Sequence, residues 1–104
     1  MIIKHENEGT INKNSVYIKT DKAELTLYFS YETIISYTLN VFGEKGIYES
    51  NTIQNYWSTT TGKFLNELCR DKELRLTEEQ FKPKVERALN LLSVEMPVMV
   101  ERAL

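Results

Sequence analysis

The chain has 104 residues, with 13 Lys plus Arg against 15 Asp plus Glu and a net charge of -2. That length predicts one domain over residues 1–104, and 41% hydrophobic with 27% charged residues exclude a disordered chain. The slightly acidic balance excludes a general DNA-coating protein, which would be basic, and the single Cys69 excludes an internal disulfide framework or a multi-cysteine zinc site.

The N-terminal MIIKHENEGT lacks the apolar stretch of roughly 7–15 residues found in signal peptides. No run approaches the ~20 apolar residues of a membrane span. The expectation is a soluble, cytoplasmic protein with no membrane contact. Residues 1–14 are polar and read as a loose start with a short strand at residues 1–4. Residues 15–57 are β-rich. Val16 and Ile18 alternate with Tyr17 and Lys19, and Asp21-Lys22 supplies a turn.

Residues 25–41 carry the clearest signal. Leu25, Leu27, Phe29, Tyr31, Ile35, Tyr37, Leu39 and Val41 occupy odd positions, and the even positions are mostly polar. Period-2 alternation marks a sheet with one buried face. A straight strand of this length would reach about 56 Å, against a radius of gyration of about 13 Å for such a domain. The run must therefore turn, near Glu32-Thr33. A two-residue loop there would pair Tyr31 with Ile34 and reverse the parity. A bent strand, a bulge or an odd-length loop is the better expectation. Gly43-Glu44-Lys45-Gly46 predicts the next turn, and residues 47–53 are polar enough for an edge strand.

From Trp57 the period becomes helical. Ser58, Thr59, Thr60 and Thr61 are all candidate N-caps, with Phe64, Leu65, Leu68 and Cys69 on one face and an end near Arg70–Lys72. Thr77-Glu78-Glu79-Gln80 is a capping-box pattern, followed by an apolar stripe of Phe81, Val85, Ala88, Leu89 and Leu92. Pro83 either opens this helix in its first turn or kinks a longer one. Helices thus occupy residues 58–92. In the tail, residues 93–104, Val98, Met99, Val100 and Leu104 need a docking site to be covered. The tail repeats Val85-Glu86-Arg87-Ala88-Leu89 as Val100-Glu101-Arg102-Ala103-Leu104, too short a match for a structural repeat. Strands followed by helices predict an α+β fold: three to five mainly antiparallel strands, then two helices on one face. The predicted core is Val16, Ile18, Leu25, Leu27, Phe29, Ile35, Tyr37, Leu39, Val41, Trp57, Leu65, Leu68, Phe81, Val85 and Leu89.

The most distinctive candidate site is Trp57-Ser58-Thr59-Thr60-Thr61-Gly62-Lys63. Free amides and the helix dipole favour an anion at such a helix start, and Lys63 adds charge. It is not a Walker A loop, because Trp57 stands where its first Gly belongs and Phe64 where Ser or Thr should follow Lys. The plainer reading is a solvated N-cap with Trp57 held in the core. His5, beside Glu6 and Glu8, has no second His to complete a metal site, so no metal and no cofactor is expected. Cys69 reads as a buried structural thiol, and Glu78 and Glu79 as first-turn residues matched to the helix dipole. Tyr17, Tyr28 and Tyr48 fall out of phase with the core. They predict an aromatic patch on the open sheet face for base stacking, the plainer reading being a self-association surface or ordinary cross-strand packing.

Leu27-Tyr28-Phe29-Ser30-Tyr31-Glu32-Thr33 together with Trp57-Ser58-Thr59-Thr60-Thr61-Gly62-Lys63-Phe64-Leu65-Asn66 resembles a group of small uncharacterised proteins of phages, archaeal viruses and mobile elements. Its members pair a YFSY-T strand with a W-S-x-T-T-G-K-H-L-N segment. The resemblance covers about residues 25–68, and Phe64 replaces the usual His. It implies a viral or mobile-element origin, hence a host cytoplasm, and no particular activity.

No nucleophile, base and orienting group can be assembled from these residues. The expected function is therefore a non-enzymatic accessory protein that binds a host or viral protein, an anti-defence inhibitor being one concrete form. A nucleic-acid-binding module using the sheet tyrosines or Lys63 is the second expectation. A phosphate or small-ligand binder at Thr59–Lys63 is the third. Self-association into a homo-oligomer is compatible with all three.

Overall fold

Apolar alternation builds an antiparallel sheet in the order β1-β2-β3-β4-β5, with β1 at Ile2–Asn7, β2 at Asn14–Lys19, β3 at Ala23–Ser30, β4 at Thr33–Val41 and β5 at Ile47–Thr52. Two helices follow, α1 at Thr59–Leu68 and α2 at Glu78–Leu91, with a single 3-10 turn at Lys72–Leu74 between them. The α+β expectation holds. The computed structural model describes residues 1–7, 13–43 and 46–92. The expectations for residues 93–104 lie outside the described residues, as do Glu8, Glu44 and Lys45.

The long alternating run is the hairpin β3–β4. Its turn is Tyr31-Glu32, between paired Ser30 and Thr33, and Tyr31 adopts a positive φ of 55°. Phe29 pairs with Ile34 but Tyr28 pairs with Ser36, so Ile35 is an extra residue, a bulge on β4. The two-residue turn that parity argued against is present, and the bulge restores the parity the turn reverses. The longest extent of the molecule, 39 Å, leaves no room for one straight strand. One consequence escapes a simple alternation: Ile34, in the polar phase of the sequence, is buried beside Ile35.

Odd-numbered residues of β3, with Val16 and Ile18 of β2, form one wall of the core, and Phe64, Leu65, Phe81, Val85, Ala88, Leu89 and Leu92 form the other. Tyr37 and Phe81 touch with ring centroids 5.9 Å apart. Ser30 and Thr61, both buried, share a 2.8 Å hydrogen bond that ties the end of β3 to α1. β1 runs to Asn7, beyond the strand predicted at residues 1–4, and every one of its residues is exposed. β5 is the opposite edge, as its polar sequence predicts.

α1 is capped by Ser58, whose hydroxyl accepts from the Thr61 amide. It ends at Leu68, earlier than Arg70–Lys72, because Cys69 turns to extended backbone (φ -151°). α2 opens with the full capping box of Thr77 and Gln80. Pro83 lies in its second turn, neither opening it nor ending it. The predicted core needs three corrections. Trp57 is 45% exposed, because Phe64 and Leu65 already fill the space under α1. Val41 and Leu68 are only half-buried, packed at the rim of the core.

Between the helices the chain rejoins the sheet. The Leu76 amide donates to the Thr52 carbonyl and the Gln54 amide to the Leu76 carbonyl, both at 2.8 Å. Ile53 and Leu76 form a parallel bridge. This short contact sets Arg75 beside the loop that precedes α1.

Candidate functional site

The loop from Gln54 to Ser58 is fixed by its own side chains. Asn55 accepts the Trp57 amide on Oδ1 at 2.9 Å and donates Nδ2 to the Ser58 carbonyl at 3.3 Å, an Asx-type turn. The Tyr56 hydroxyl accepts from the Glu78 amide at the start of α2. Tyr56 and Trp57 stand edge to face with centroids 5.9 Å apart, both about half exposed. Between Glu49 and Glu67 the sequence carries one charged residue, Lys63. The corner is thus a held, exposed aromatic pair in a stretch poor in charge.

The predicted helix-start residues divide. Thr61 is buried and bonded to Ser30 and Ser58, so it is structural. Ser58 places its hydroxyl where an anion would sit against the Thr61 amide. Thr59, Thr60 and Lys63 are exposed, and Gly62 is half-buried. A Cβ at Gly62 would lie 2.9 Å from Asn55 Nδ2, so glycine is what lets the Asn55 amide rest against the helix.

On the other side of Asn55 lies a cavity of about 380 Å³ lined by Gln54, Asn55, Gly62, Asn66, Lys72 and Arg75. Arg75 is only 6% exposed. Its Nε and Nη2 donate to the Cys69 carbonyl at 3.0 and 2.8 Å, and Nη2 donates to Asn66 Oδ1 at 2.7 Å. The guanidinium therefore closes the C-terminal end of α1, where cations are favoured. No carboxylate pairs with it: among the described residues the ion pairs are Lys13–Glu67, Lys82–Glu78 and Arg87–Glu49. Of these cavity residues only Gly62 belongs to the predicted helix-start site, and Asn66 ends the W-S-x-T-T-G-K-H-L-N segment. Arg75, between Leu74 and Leu76, follows no helical or strand period that would mark it.

Tyr17 and Tyr28 are diagonal neighbours on β2 and β3, and Tyr48 stands apart on β5. Strand parity places Tyr17, Tyr28 and Tyr48 on the face opposite the helices, but their cross-strand partners are Thr26, Ser36 and Asn40, three different rows. Tyr17 donates to Glu24 at 2.5 Å, which raises the phenol and lowers the carboxyl from their usual ranges. Tyr28 is half-buried against the core, and Tyr48 is 72% exposed on the edge strand.

His5 Nε2 lies 3.2 Å from Asn14 Oδ1, beside a second cavity of about 550 Å³ that reaches Val16, Phe29 and the β3–β4 turn. Among the described residues no group of three His, Cys, Asp or Glu could hold a metal ion, and no helix is long and apolar enough to cross a membrane. Cys69 is half-buried rather than buried, with Sγ 3.4 Å from the Asp71 carbonyl oxygen. Glu78 pairs with Lys82 at 2.9 Å on the surface of α2.

The chain belongs to DUF8033, a family of unknown function, whose pattern matches residues 3–83. That span runs from Ile3 of β1 into the second turn of α2, so it contains the sheet but for Ile2, the aromatic corner and the Arg75 cavity. No curated protein and no solved structure matches the chain significantly.

Proposed function

We propose that this member of DUF8033 is a non-enzymatic accessory protein that binds another protein through the Tyr56–Trp57 corner and the exposed first turn of α1. The observation that carries the reading is the aromatic pair itself. Both rings are about half exposed, yet the Trp57 amide is held by Asn55 and the Tyr56 hydroxyl by the start of α2. Burying such a pair costs little further ordering, and Trp and Tyr lead among residues that dominate binding energy. The scarcity of charge from residue 50 to 66 matches the centre of protein interfaces, where charged residues are depleted. A standard interface takes about 800 Å² from each partner, roughly an eighth of the 6681 Å² surface.

The partner in this reading is a host or viral protein, met in the host cytoplasm. The YFSY-T and W-S-x-T-T-G-K segments support an origin in a phage or mobile element, and inhibition of a host defence protein is its most concrete form. The test is affinity capture from host lysate, treated with nuclease, with wild type and the Trp57→Ala and Tyr56→Ala variants. Wild type should retain one protein that both variants lose, while all three fold alike by circular dichroism. Equal retention by the variants overturns the reading. Loss of the captured material on nuclease treatment does so in favour of nucleic-acid binding.

A further inference from the structure

Arg75 carries more donors than the fold uses. Nε and Nη2 are committed to Cys69 and Asn66. Nη1 makes no hydrogen bond among the described residues, yet no buried side-chain nitrogen or oxygen there lacks a partner, so Nη1 is reached by solvent, and Arg75 lines the cavity. A guanidinium this deeply buried is normally matched by a carboxylate, since an unpaired buried charge is costly. Here the helix end offsets part of that cost, and the two N–H groups of Nη1 have no acceptor among the described residues.

The rest of the wall has the same sense. Lys72 adds a second cation and makes no ion pair. Gln54, Asn55 and Asn66 add carboxamides, and no acidic residue lines the cavity. Asn66 Oδ1 is occupied by Arg75, which leaves its NH2 group as the donor available there. With Nε and Nη2 committed, Nη1 offers two N–H donors and the guanidinium charge to the oxygens of an oxyanion. The volume, about 380 Å³, is at the small end of ligand pockets.

We propose that this cavity is a binding site for the oxyanion group of a small ligand, a phosphate or a carboxylate, held by Arg75 Nη1 and Lys72 with the Asn55 and Asn66 amides. The site shares Asn55 with the loop that carries the aromatic corner, but it does not require Tyr56 or Trp57 to meet a partner.

The experiment follows side-chain and backbone amide shifts of the full chain by NMR at constant ionic strength. The probes are inorganic phosphate and, separately, sodium succinate. Saturable shifts at the Asn55 and Asn66 amides and Arg75 Nε are expected with at least one probe, and the probe that saturates names the source of the oxyanion. Lys72→Ala is the working variant, because Lys72 is exposed and its loss leaves the α1 clamp intact. It should weaken the apparent affinity about tenfold, while Lys22→Ala, in the exposed turn between β2 and β3, leaves it unchanged. Arg75→Lys should abolish the shifts, with its fold checked by circular dichroism. Linear, non-saturating shifts with both probes, or an affinity unchanged in Lys72→Ala, overturn the proposal.

Discussion

Tyr37 shows how one buried polar group is satisfied. Its ring packs on Phe81 and its hydroxyl donates to Glu49, while Asn51 Nδ2 donates to it at 2.8 Å. Arg87 from α2 grips both Glu49 oxygens at 2.6 Å, so the cluster joins β4, β5 and α2. Burial, then the bond to Glu49, push the Tyr37 phenol up to about 12. In the unfolded chain it titrates near its ordinary value of 10.0. Between these values the unfolded state holds fewer protons than the folded one, so Tyr37 takes stability away as pH rises from 10 to 12. Tyr37→Phe should cost about 1 kcal/mol at pH 7 through the lost hydrogen bonds. Its disadvantage should shrink across the alkaline window, in urea melts of both proteins. A gap that stays constant with pH would assign the titration elsewhere. Glu24 works in the opposite sense: its lowered carboxyl adds stability above its unfolded value, and this is lost as pH falls through the folded one.

Elements are set by local patterns and finished by distant ones. The capping box of α2 was legible at Thr77-Glu78-Glu79-Gln80, because all its hydrogen bonds are local. The end of α1 was not, because Arg75 clamps the Cys69 carbonyl from six residues away across a turn. Pro83 is the local misfit. As the sixth residue of α2 it lacks the amide that would bond the Glu79 carbonyl. It is exposed, so no packing compensates. Pro83→Ala should therefore stabilise the protein by about 1–3 kcal/mol in urea unfolding, less than the full helix-interior cost because proline also restrains the unfolded chain. A destabilised variant would show that the ring has a packing role in α2.

At the scale of the molecule, the two faces of the sheet are unequal. One is closed by α1 and α2, and the other carries Thr26, Thr38 and Asn40 at half-burial beside Tyr17 and Tyr28. The two edges are unequal too. β5 is continued by the bridge from Ile53 to Leu76, whereas β1 pairs only with β2 and is exposed throughout. β1 is thus the least anchored strand. In native-state hydrogen exchange its paired amides should be the least protected of the sheet, and those of β3 and β4 the most. Protection of β1 equal to that of β3 would mean that another part of the molecule covers this edge.

The sequence by itself determined the class of the fold, the inward face of β3 and of β4 beyond its bulge, and the stripe of α2. Those follow from period-2 and period-3.6 burial, which each segment carries alone. It placed Trp57 wrongly, because hydrophobicity names a preference for burial and not which ring reaches the space first. Only the tertiary structure decided that Phe64 and Leu65 take that space, that a bulge at Ile35 lets a two-residue turn keep the parity, and that Arg75 meets Asn66 beside Asn55 and Lys72. Such a site consists of residues from three separate segments. No local spacing encodes it, because the contacts that assemble it exist only after the sheet edge has captured Leu76.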